Sequence, residues 1–355
     1  MIAVVAGTRP EIIKVAPVLR RLKGDGLPYA FLHTNQHYSK EMDADILADL
    51  RLDPPDRNFG IGSLSHAAQT GRAMEGLEAW FIEHRPSIVL VHGDTNTTLA
   101  GAVAAKKLNI PVGHIEAGLR SFDQKMPEEI NRMLVDRISD VHFAPTQIAR
   151  ENLLREGTPE ESIEVCGNTV VDALHDHAAL AEDSTIHRRL GLADRRYILS
   201  TLHRAENVDS RDSLAAMLHL LEHAGQRLDA PMLLPLHPRT RKNIAGFELK
   251  VPDNVQVLDP VGYIDMLALL MRASLVMTDS GGIQEEAYVL RRPLVTLRDS
   301  TERPETLKAN FLVKSDITAF DRAWDAYLAG QPSWDDSFGD GRSAERIVDR
   351  LTQYL

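Results

Sequence analysis

The sequence predicts an α/β protein with two Rossmann-like, doubly wound domains. Short apolar runs of Val, Ile and Leu alternate with longer amphipathic stretches, which is typical of parallel strands covered by helices on both faces. Two such series follow one another along the chain, and 355 residues suffice for about two domains of roughly 150 residues each. Charged residues follow nearly every apolar run, where parallel strands end and ligands bind.

The apolar runs predict the strands in order. In the first half they are 2–6, 29–33, 88–92, 112–115, 141–144 and 163–166, and in the second half 197–202, 232–236, 255–258, 275–278 and 294–297. Amphipathic stretches between them predict helices, among others at 99–108, 129–138 and 214–221. The continuous apolar character of the runs favours buried parallel strands over half-exposed antiparallel ones.

The domain limits are predicted where the strand pattern pauses. Residues 1–170 are assigned to an N-terminal domain and residues 197–340 to a C-terminal domain. Residues 171–196 are assigned as a linker region, because they contain a polar, charge-rich helix at about 172–190 and no strand pattern. Residues 341–355 predict a C-terminal helix that can pack on either domain, and we assign it to pack back on the N-terminal one.

The composition argues against several classes of protein. A formal net charge of −11 at pH 7 disfavours attraction to nucleic acid or to an anionic membrane. The single cysteine, Cys166, cannot form an internal disulfide, and we interpret it as a buried core residue. We expect a cytoplasmic protein, because no apolar run approaches the roughly 20 residues of a membrane span and no signal-peptide pattern precedes the first strand.

Charged side chains follow the strands of the first half. Arg9 and Lys14 follow the first strand, Asp94 follows the strand at 88–92, and Glu116 follows the strand at 112–115. Glu128 begins a predicted helix, where the helix dipole alone would favour an acidic residue, and Asp94 could serve as a helix cap. Glu116 has no such structural explanation, since glutamate is a poor cap. These carboxylates are therefore candidates for acid–base chemistry.

The second half contains a predicted anion site. Ser280, Gly281 and Gly282 lie between a strand and the helix predicted at 283–290, where free backbone N–H groups meet an anion. Glu286 lies one helical turn further and could accept ribose hydroxyls. Cationic side chains at strand ends favour a phosphate ligand over an ordinary glycine turn, namely Arg9, Lys14, Arg204, Arg239, Arg298 and Arg303.

Neither NAD nor a metal ion is expected. The first strand–helix turn, residues 6–10, reads Ala-Gly-Thr-Arg-Pro and lacks the G-x-G-x-x-G of dinucleotide-binding folds. His92-x-Asp94 and His114-x-Glu116 could hold a metal, because alternate strand residues share a face. The many cationic side chains favour anionic partners instead, and we interpret His92 and His114 as packed, hydrogen-bonded residues beneath the site.

Eight motifs occur in a characteristic order along the chain. They are G-T-R-P-E-I-I-K (7–14), H-G-D-T-N-T-T (92–98), H-I-E-A-G-L-R (114–120), P-E-E-I-N-R (127–132), G-N-T-V-V-D (167–172), H-R-A-E-N (203–207), T-D-S-G-G-I-Q-E-E (278–286) and R-D-S-T-E-R-P-E (298–305). Together they resemble the non-hydrolysing UDP-N-acetylglucosamine (UDP-GlcNAc) 2-epimerase family, and the resemblance extends from residue 1 to beyond residue 310.

The resemblance implies a glycosyltransferase-B-like fold, two Rossmann-like domains facing across a cleft that contains the active site, and usually a homodimer. Asp94, Glu116 and Glu128 match the family's catalytic carboxylates, and His203 matches its functional histidine. The positions that match its UDP-binding residues are Arg9, Ser280, Gly281, Gly282, Glu286 and Arg303. We add further UDP-sugar-binding candidates at motif positions or strand ends, namely Lys14, Arg132, Arg204 and His237.

Two positions depart from the family pattern. Met266 stands where bacterial members often have a phenylalanine beside the uracil, which removes the basis for predicting stacking there. Residues 36–39 (Gln-His-Tyr-Ser) only partly match the bacterial segment linked to allosteric activation by substrate. Activation by UDP-GlcNAc is therefore left open.

The expected reaction interconverts UDP-GlcNAc and UDP-N-acetylmannosamine (UDP-ManNAc). The C2 hydrogen is not next to a carbonyl, so an enzyme must either oxidise the sugar with NAD or expel UDP as C2 loses its proton. Without a dinucleotide motif, elimination to 2-acetamidoglucal and re-addition of UDP is the expected route. Three alternatives remain: a hydrolysing epimerase that releases ManNAc and UDP, a glycosyltransferase of the same fold, and a nucleotide-sugar-binding regulator without catalysis.

Overall fold

The computed structural model describes residues 1–35, 46–192 and 195–355. Residues 36–39, which the sequence compares with an allosteric segment, lie outside these ranges. The chain divides into two compact units. Unit 1 consists of Met1–Asp176 and Asp336–Leu355, and unit 2 consists of His177–Asp335.

Unit 1 is built on a parallel sheet that has seven strands within the described ranges, in the order β3-β2-β1-β4-β5-β6-β7. The strands are β1 Ile2–Ala6, β2 Tyr29–His33, β3 Arg57–Asn58, β4 Ile88–His92, β5 Val112–Ile115, β6 Val141–Ala144 and β7 Ile163–Val165. The strand order reverses between β1 and β4, which is the position where doubly wound sheets bind ligands. The carboxyl ends of β1, β4 and β5 are therefore neighbours at one edge of this sheet.

Helices cover both faces of this sheet, as its continuous apolar strands require. Their bounds are Arg9–Gly24, His66–His84, Asn96–Lys107, Pro127–Ile138, Gln147–Arg155, the part of Thr169–Glu182 that ends at Asp176, and Ser343–Leu351. The last of these packs against Arg9–Gly24 and continues as a short 3₁₀ turn at Thr352–Tyr354. Its first turn is capped from within unit 1, because the Asp172 carboxylate accepts the backbone N–H groups of Ser343 and Ala344.

Unit 2 is built on a second parallel sheet, which has six strands in the described part of the chain. The strands are β8 Ile198–Thr201, β9 Met232–Pro235, β10 Val255–Leu258, β11 Leu275–Thr278, β12 Leu294–Thr296 and β13 Asn310–Leu312, in the order β10-β9-β8-β11-β12-β13. Its helices are Ile186–Arg189, Ala205–Val208, Arg211–Leu228, Pro238–Gly246, Tyr263–Arg272, Gly281–Val289 and Ile317–Leu328. The order reverses between β8 and β11, so this unit is also doubly wound.

The structure confirms every predicted strand and adds two, β3 and β13, which lie at sheet edges. Edge strands are often short and need no apolar run, and the two residues of β3 are exposed and polar. The single helix predicted at 172–190 is wrong. The structure has two helices there, separated at Ser184, whose hydroxyl accepts the Ile186 N–H and donates to Asp265.

Cys166 lies in the interior of unit 1, and burial raises the pKa of its thiol, as expected for a core residue. In the part of the chain that the structure describes, no helix is both long and apolar enough to cross a membrane.

Candidate functional site

Glu116 lies in the loop that follows β5 and is 5% exposed. Its φ of +67° is in the left-handed region, which is uncommon for a residue with a Cβ and marks local strain. Its Oε1 accepts a hydrogen bond of 2.9 Å from Asn168 Nδ2 and contacts Lys14 Nζ. Its Oε2 lies 3.8 Å from His92 Nε2. An amide and an ammonium group therefore both bind the same oxygen of this carboxylate.

Asp94 lies directly after β4 and contacts the guanidinium of Arg132. Its backbone carbonyl accepts a hydrogen bond of 2.9 Å from Asn131 Nδ2. The helix that follows is capped by Thr95, whose hydroxyl accepts the Thr98 N–H. Thr95 is therefore the N-cap of this helix, and the Asp94 carboxylate contacts a buried cation.

Two adjacent carboxylates begin the helix Pro127–Ile138. Glu128 is half-buried, whereas Glu129 is buried and accepts the backbone N–H groups of Ser121 and Phe122 at 3.0 and 2.9 Å. Glu129 also binds Arg132 through Nε and Nη2, at 2.9 and 2.6 Å. Glu129 thus orients the arginine that contacts Asp94. Sequence reasoning missed this role, because two consecutive glutamates at a helix start look alike.

A buried ionic network lies beneath the loops after β4 and β5. His114 Nδ1 lies 2.6 Å from the Asp136 carboxylate, and His114 Nε2 lies 2.8 Å from the carbonyl oxygen of Gly93. Asp136 also binds Arg120 and the Gly118 N–H. Burial opposes ionisation of Asp136, but the charges of His114 and Arg120 hold its pKa below the usual value.

This network confirms that His114 is packed and hydrogen-bonded. Both of its ring nitrogens face acceptor oxygens, which leaves neither for a metal ion. Within residues 1–35, 46–192 and 195–355, no group of three or more His, Cys, Asp or Glu side chains is arranged to hold a metal.

Glu11 connects the turn after β1 to the residues that follow Asp94. It accepts hydrogen bonds from the Gly7 N–H at 3.0 Å and from the Thr95 hydroxyl at 2.9 Å. Burial raises the pKa of Glu11 to about 7, since these neutral donors only partly offset the loss of hydration. One helical turn further, Lys14 reaches Glu116. The structure therefore brings the turns after β1, β4 and β5 into one hydrogen-bonded assembly, beside which Arg9 is half-buried.

In unit 2, the loop after β8 is organised around the buried carboxylate of Asp279, at the end of β11. The Nδ1 atom of His203 lies 2.8 Å from Asp279 Oδ1, while Asp279 Oδ2 accepts the backbone N–H groups of His203 and Arg204 and the side-chain amide of Asn207. Burial opposes ionisation, yet the contacts with His203 lower the pKa of Asp279 to about 2. The His203 side chain is 38% exposed, so it remains accessible to a ligand.

His237 lies near this dyad, with its ring centroid 6.0 Å from that of His203. It caps the helix Pro238–Gly246 by accepting the Arg239 N–H. The Arg239 side chain pairs with Asp209 at the surface, so this predicted phosphate candidate is already engaged by a carboxylate.

Ser280 is the N-cap of the helix Gly281–Val289, and its hydroxyl accepts the Ile283 N–H. A Cβ built on Gly281 would lie 2.9 Å from Arg303 Nη1 and from Glu302 Oε1, so this glycine makes room for the arginine. A Cβ built on Gly282 would meet nothing within 4 Å. The second glycine therefore borders open space at the helix N-terminus, where a ligand can approach the backbone.

Arg303 is buried beside Gly281 and binds two carboxylates, Glu285 at 2.8 Å and Glu302. Glu302 also binds Arg298 at 2.9 Å. Sequence reasoning selected both arginines but missed the glutamates that orient them. Two other predicted positions lie on nearby helices: Glu286 is buried on Gly281–Val289, and Met266 is half-buried on Tyr263–Arg272.

Similarity to known proteins extends over nearly the whole chain. Residues 20–352 match the family model described as UDP-N-acetylglucosamine 2-epimerase. A Methanocaldococcus jannaschii protein named UDP-N-acetylglucosamine 2-epimerase is 45% identical, over 99% of this chain and 98% of the relative. A Pseudomonas aeruginosa protein named UDP-2,3-diacetamido-2,3-dideoxy-D-glucuronate 2-epimerase is 41% identical, over 99% of both chains.

The solved structures agree with this result. The crystal structure of Methanocaldococcus jannaschii UDP-GlcNAc 2-epimerase in complex with UDP-GlcNAc and UDP matches with a TM-score of 0.93 and 44% identity, covering 99% of each chain. The structure of Anabaena HepE in complex with UDP and glucose matches with a TM-score of 0.60 at 12% identity, again over 99% of each chain, and supports the fold alone. The predicted α/β, glycosyltransferase-B-like fold class is confirmed.

Proposed function

This chain belongs to the UDP-N-acetylglucosamine 2-epimerase family, and we propose that it interconverts UDP-GlcNAc and UDP-ManNAc by eliminating UDP and adding it back. It is an enzyme of the isomerase class. The observation that carries the proposal is a pair of cation-bound carboxylates, Asp94 and Glu116, at the carboxyl ends of the neighbouring strands β4 and β5.

The proton transfers are assigned to unit 1. One carboxylate removes the C2 hydrogen as a proton, the C2 electron pair forms the C1=C2 double bond, and the C1–O bond breaks with its electrons leaving on UDP. The products are 2-acetamidoglucal and UDP. Return of a proton to the opposite face of C2, with attack of the UDP oxygen at C1, gives the epimer. Asp94, Glu116 and Glu128 are the proposed acids and bases: one of them accepts the C2 proton, and another, protonated before the reaction begins, supplies the proton to the opposite face. Lys14 contacts the Glu116 carboxylate and Arg132 contacts that of Asp94.

Stabilisation of the leaving UDP is assigned mainly to unit 2. The backbone N–H groups of Gly281 and Gly282 supply donors for the diphosphate, and the Arg303 guanidinium, which Glu285 and Glu302 hold beside Gly281, adds positive charge there. The carboxylate of Asp279 orients His203, whose exposed edge can donate to a phosphate oxygen. Further proposed contacts with the UDP-sugar come from Arg9, Arg204, His237 and Glu286.

Elimination requires both C2–H exchange and cleavage of the C1–O bond, and this allows a direct test. Proton NMR of UDP-GlcNAc with the pure protein in heavy water should show UDP-ManNAc forming, with deuterium at C2 of the product and eventually of the recovered substrate. Oxygen label placed in the C1–O–P bridge should scramble into the non-bridging positions of that phosphate. Transient oxidation leaves the bridge intact, so retention of the label during complete C2 exchange would rule out elimination.

A second substrate is favoured by one observation, the 41% identity with the relative named for UDP-2,3-diacetamido-2,3-dideoxy-D-glucuronate. The two sugars differ at C3 and C6, whereas the chemistry at C1 and C2 is the same. Comparing kcat/KM for both nucleotide sugars decides between them, and we expect the higher value for UDP-GlcNAc. The same spectra would reveal free ManNAc, the product of a hydrolysing enzyme. The homodimer remains a prediction.

A further inference from the structure

The motif at 167–172 has no part in the reaction as proposed so far, although its asparagine contacts a proposed catalytic group. We propose that Asn168 is a positioning residue that holds the Glu116 carboxylate in the orientation needed for proton transfer. The inference rests on the proposed function, since it assigns Asn168 a role through Glu116.

Asn168 and Lys14 donate to the same oxygen of Glu116. Asn168 is 1% exposed, and its Nδ2 lies 2.9 Å from Glu116 Oε1, which Lys14 Nζ also contacts. Glu116 Oε2 lies on the side of Gly93, because a Cβ built on that glycine would be 3.8 Å from this oxygen. Gly93 immediately precedes Asp94. With Oε1 bound by the two donors, Oε2 lies beside the loop after β4, the loop that carries Asp94.

The amide and the ammonium contribute different things. An ammonium on a flexible stem has three rotatable donors, so Lys14 supplies charge but little directional restraint. The planar amide of Asn168 donates along a fixed direction and restrains rotation of the Glu116 carboxylate about its last torsion. Such restraint matters here because the Glu116 carboxylate is buried and its backbone has a left-handed φ. Both features cost free energy, so contacts from neighbouring residues must hold the side chain in place.

Asn168 is itself fixed by two hydrogen bonds. Its Oδ1 accepts the Val170 N–H at 2.9 Å, which makes it the N-terminal cap of the helix Thr169–Glu182, and its own N–H donates to the Phe338 carbonyl at 2.8 Å. The preceding residue, Gly167, has a φ of +88°, and a Cβ there would lie 2.7 Å from Ser343 Oγ. The C-terminal segment of unit 1 thus sets where the amide points.

The cap and the Nδ2 donor can be separated by substitution. Asn168→Ser and Asn168→Asp both keep an oxygen that caps the helix, and both remove the donor to Glu116. We expect kcat for C2 exchange to fall at least about tenfold in Asn168→Ser and further in Asn168→Asp, with KM and UDP affinity close to those of the wild type. Tm should fall in both variants, because each loses a buried hydrogen bond. The added carboxylate of Asn168→Asp should also shift the acidic limb of the kcat–pH profile to higher pH, because two adjacent carboxylates resist double ionisation.

Asn152→Ser is the matched control. Asn152 is also buried in unit 1, and its Nδ2 donates at 2.9 Å to the Gly118 carbonyl rather than to a carboxylate. Its loss should lower Tm and leave kcat per folded molecule within about twofold of the wild type. If Asn168 is only a helix cap, Asn168→Ser and Asn168→Asp should both retain wild-type kcat, and the proposal is then wrong.

A crystallographic comparison tests Asn168 independently of turnover. In Asn168→Ser we expect the Glu116 carboxylate to rotate or to occupy more than one conformer, while in the wild type it keeps Oε1 on Asn168. An unmoved Glu116 in the variant contradicts the positioning role whether or not the enzyme acts on UDP-GlcNAc. Absence of C2 exchange in the wild type would instead overturn the proposed function. The crystallographic comparison alone would then test whether Asn168 positions Glu116.

Discussion

The carboxyl ends of the strands carry different chemical groups in unit 1 and in unit 2. At the ends of β4 and β5, carboxylates are held by cations, as in the pairs Asp94–Arg132 and Glu116–Lys14. At the end of β11, a serine and two glycines begin a helix, and Gly282 borders open space. Unit 1 therefore presents charged side chains with fixed orientations, whereas unit 2 presents backbone donors that a ligand can approach.

This difference shows what each half of the proposed reaction requires. A proton-transfer group must keep its charge and its direction, and buried ion pairs provide both at the cost of dehydrating the charges. An anion site must offer N–H groups without a side chain in the way, which glycine at a helix N-terminus provides. Even where unit 2 buries a carboxylate, at Asp279, that group orients His203 and organises a loop.

The largest effect should come from removing the charges of unit 1. Asp94→Asn, Glu116→Gln and Glu128→Gln should each reduce epimerisation at least about 100-fold, the usual contribution of a positioned acid or base. UDP affinity, measured by calorimetry, should hardly change, because the proposed UDP donors lie mainly in unit 2. Asp56→Asn is the control, since within residues 1–35, 46–192 and 195–355 the Asp56 carboxylate binds a backbone N–H of β2 and no cation. A variant that lowers Tm but retains turnover would reassign its residue to a structural role.

The next largest effect is on the pH dependence of stability, and it separates Glu11 from Glu116 within unit 1. Glu116 has an ammonium partner, whereas Glu11 has neutral donors and a pKa raised from 4.5 to about 7. A raised pKa in the folded state means that protonated Glu11 stabilises the fold. This contribution to the free energy of unfolding is complete below pH 4.5 and is lost as the pH rises through 7. Urea unfolding of the wild type should lose on the order of 3 kcal/mol more stability between pH 4 and pH 8 than that of Glu11→Gln. Equal pH dependence of the two proteins would contradict the raised pKa.

The smallest effect concerns the glycines of unit 2. Gly282→Val should weaken UDP binding at least tenfold, about 1.4 kcal/mol, because its side chain would occupy the open space at the helix N-terminus. Gly246→Val is the matched control, since a Cβ there also meets nothing within 4 Å. Gly281→Val should instead lower Tm, because its Cβ would collide with Arg303 and Glu302. If calorimetry finds UDP affinity unchanged in Gly282→Val, the phosphate site lies elsewhere.

The sequence predicted the buried strands well because each is a continuous apolar run, and their order along the chain indicated doubly wound sheets. It was less informative where burial does not dictate residue type. The edge strands β3 and β13 are only two and three residues long, too short for a distinctive pattern, and at the helix break Ser184 contacts Asp265, which is distant in the sequence. Tertiary contacts decided both.

For the candidate site, the sequence by itself determined which residue types follow which strands, and its motifs determined the family. Only the tertiary structure decided their partners: Lys14 contacts Glu116 rather than standing free for phosphate, Glu129 binds Arg132 beside Glu128, and Asn168 reaches Glu116 across 52 residues of sequence. The physical reason is that a buried charge must be matched in three dimensions, and its partner can come from any segment that folding brings within hydrogen-bond distance. Local sequence patterns do not show which distant segments come within hydrogen-bond distance of each other.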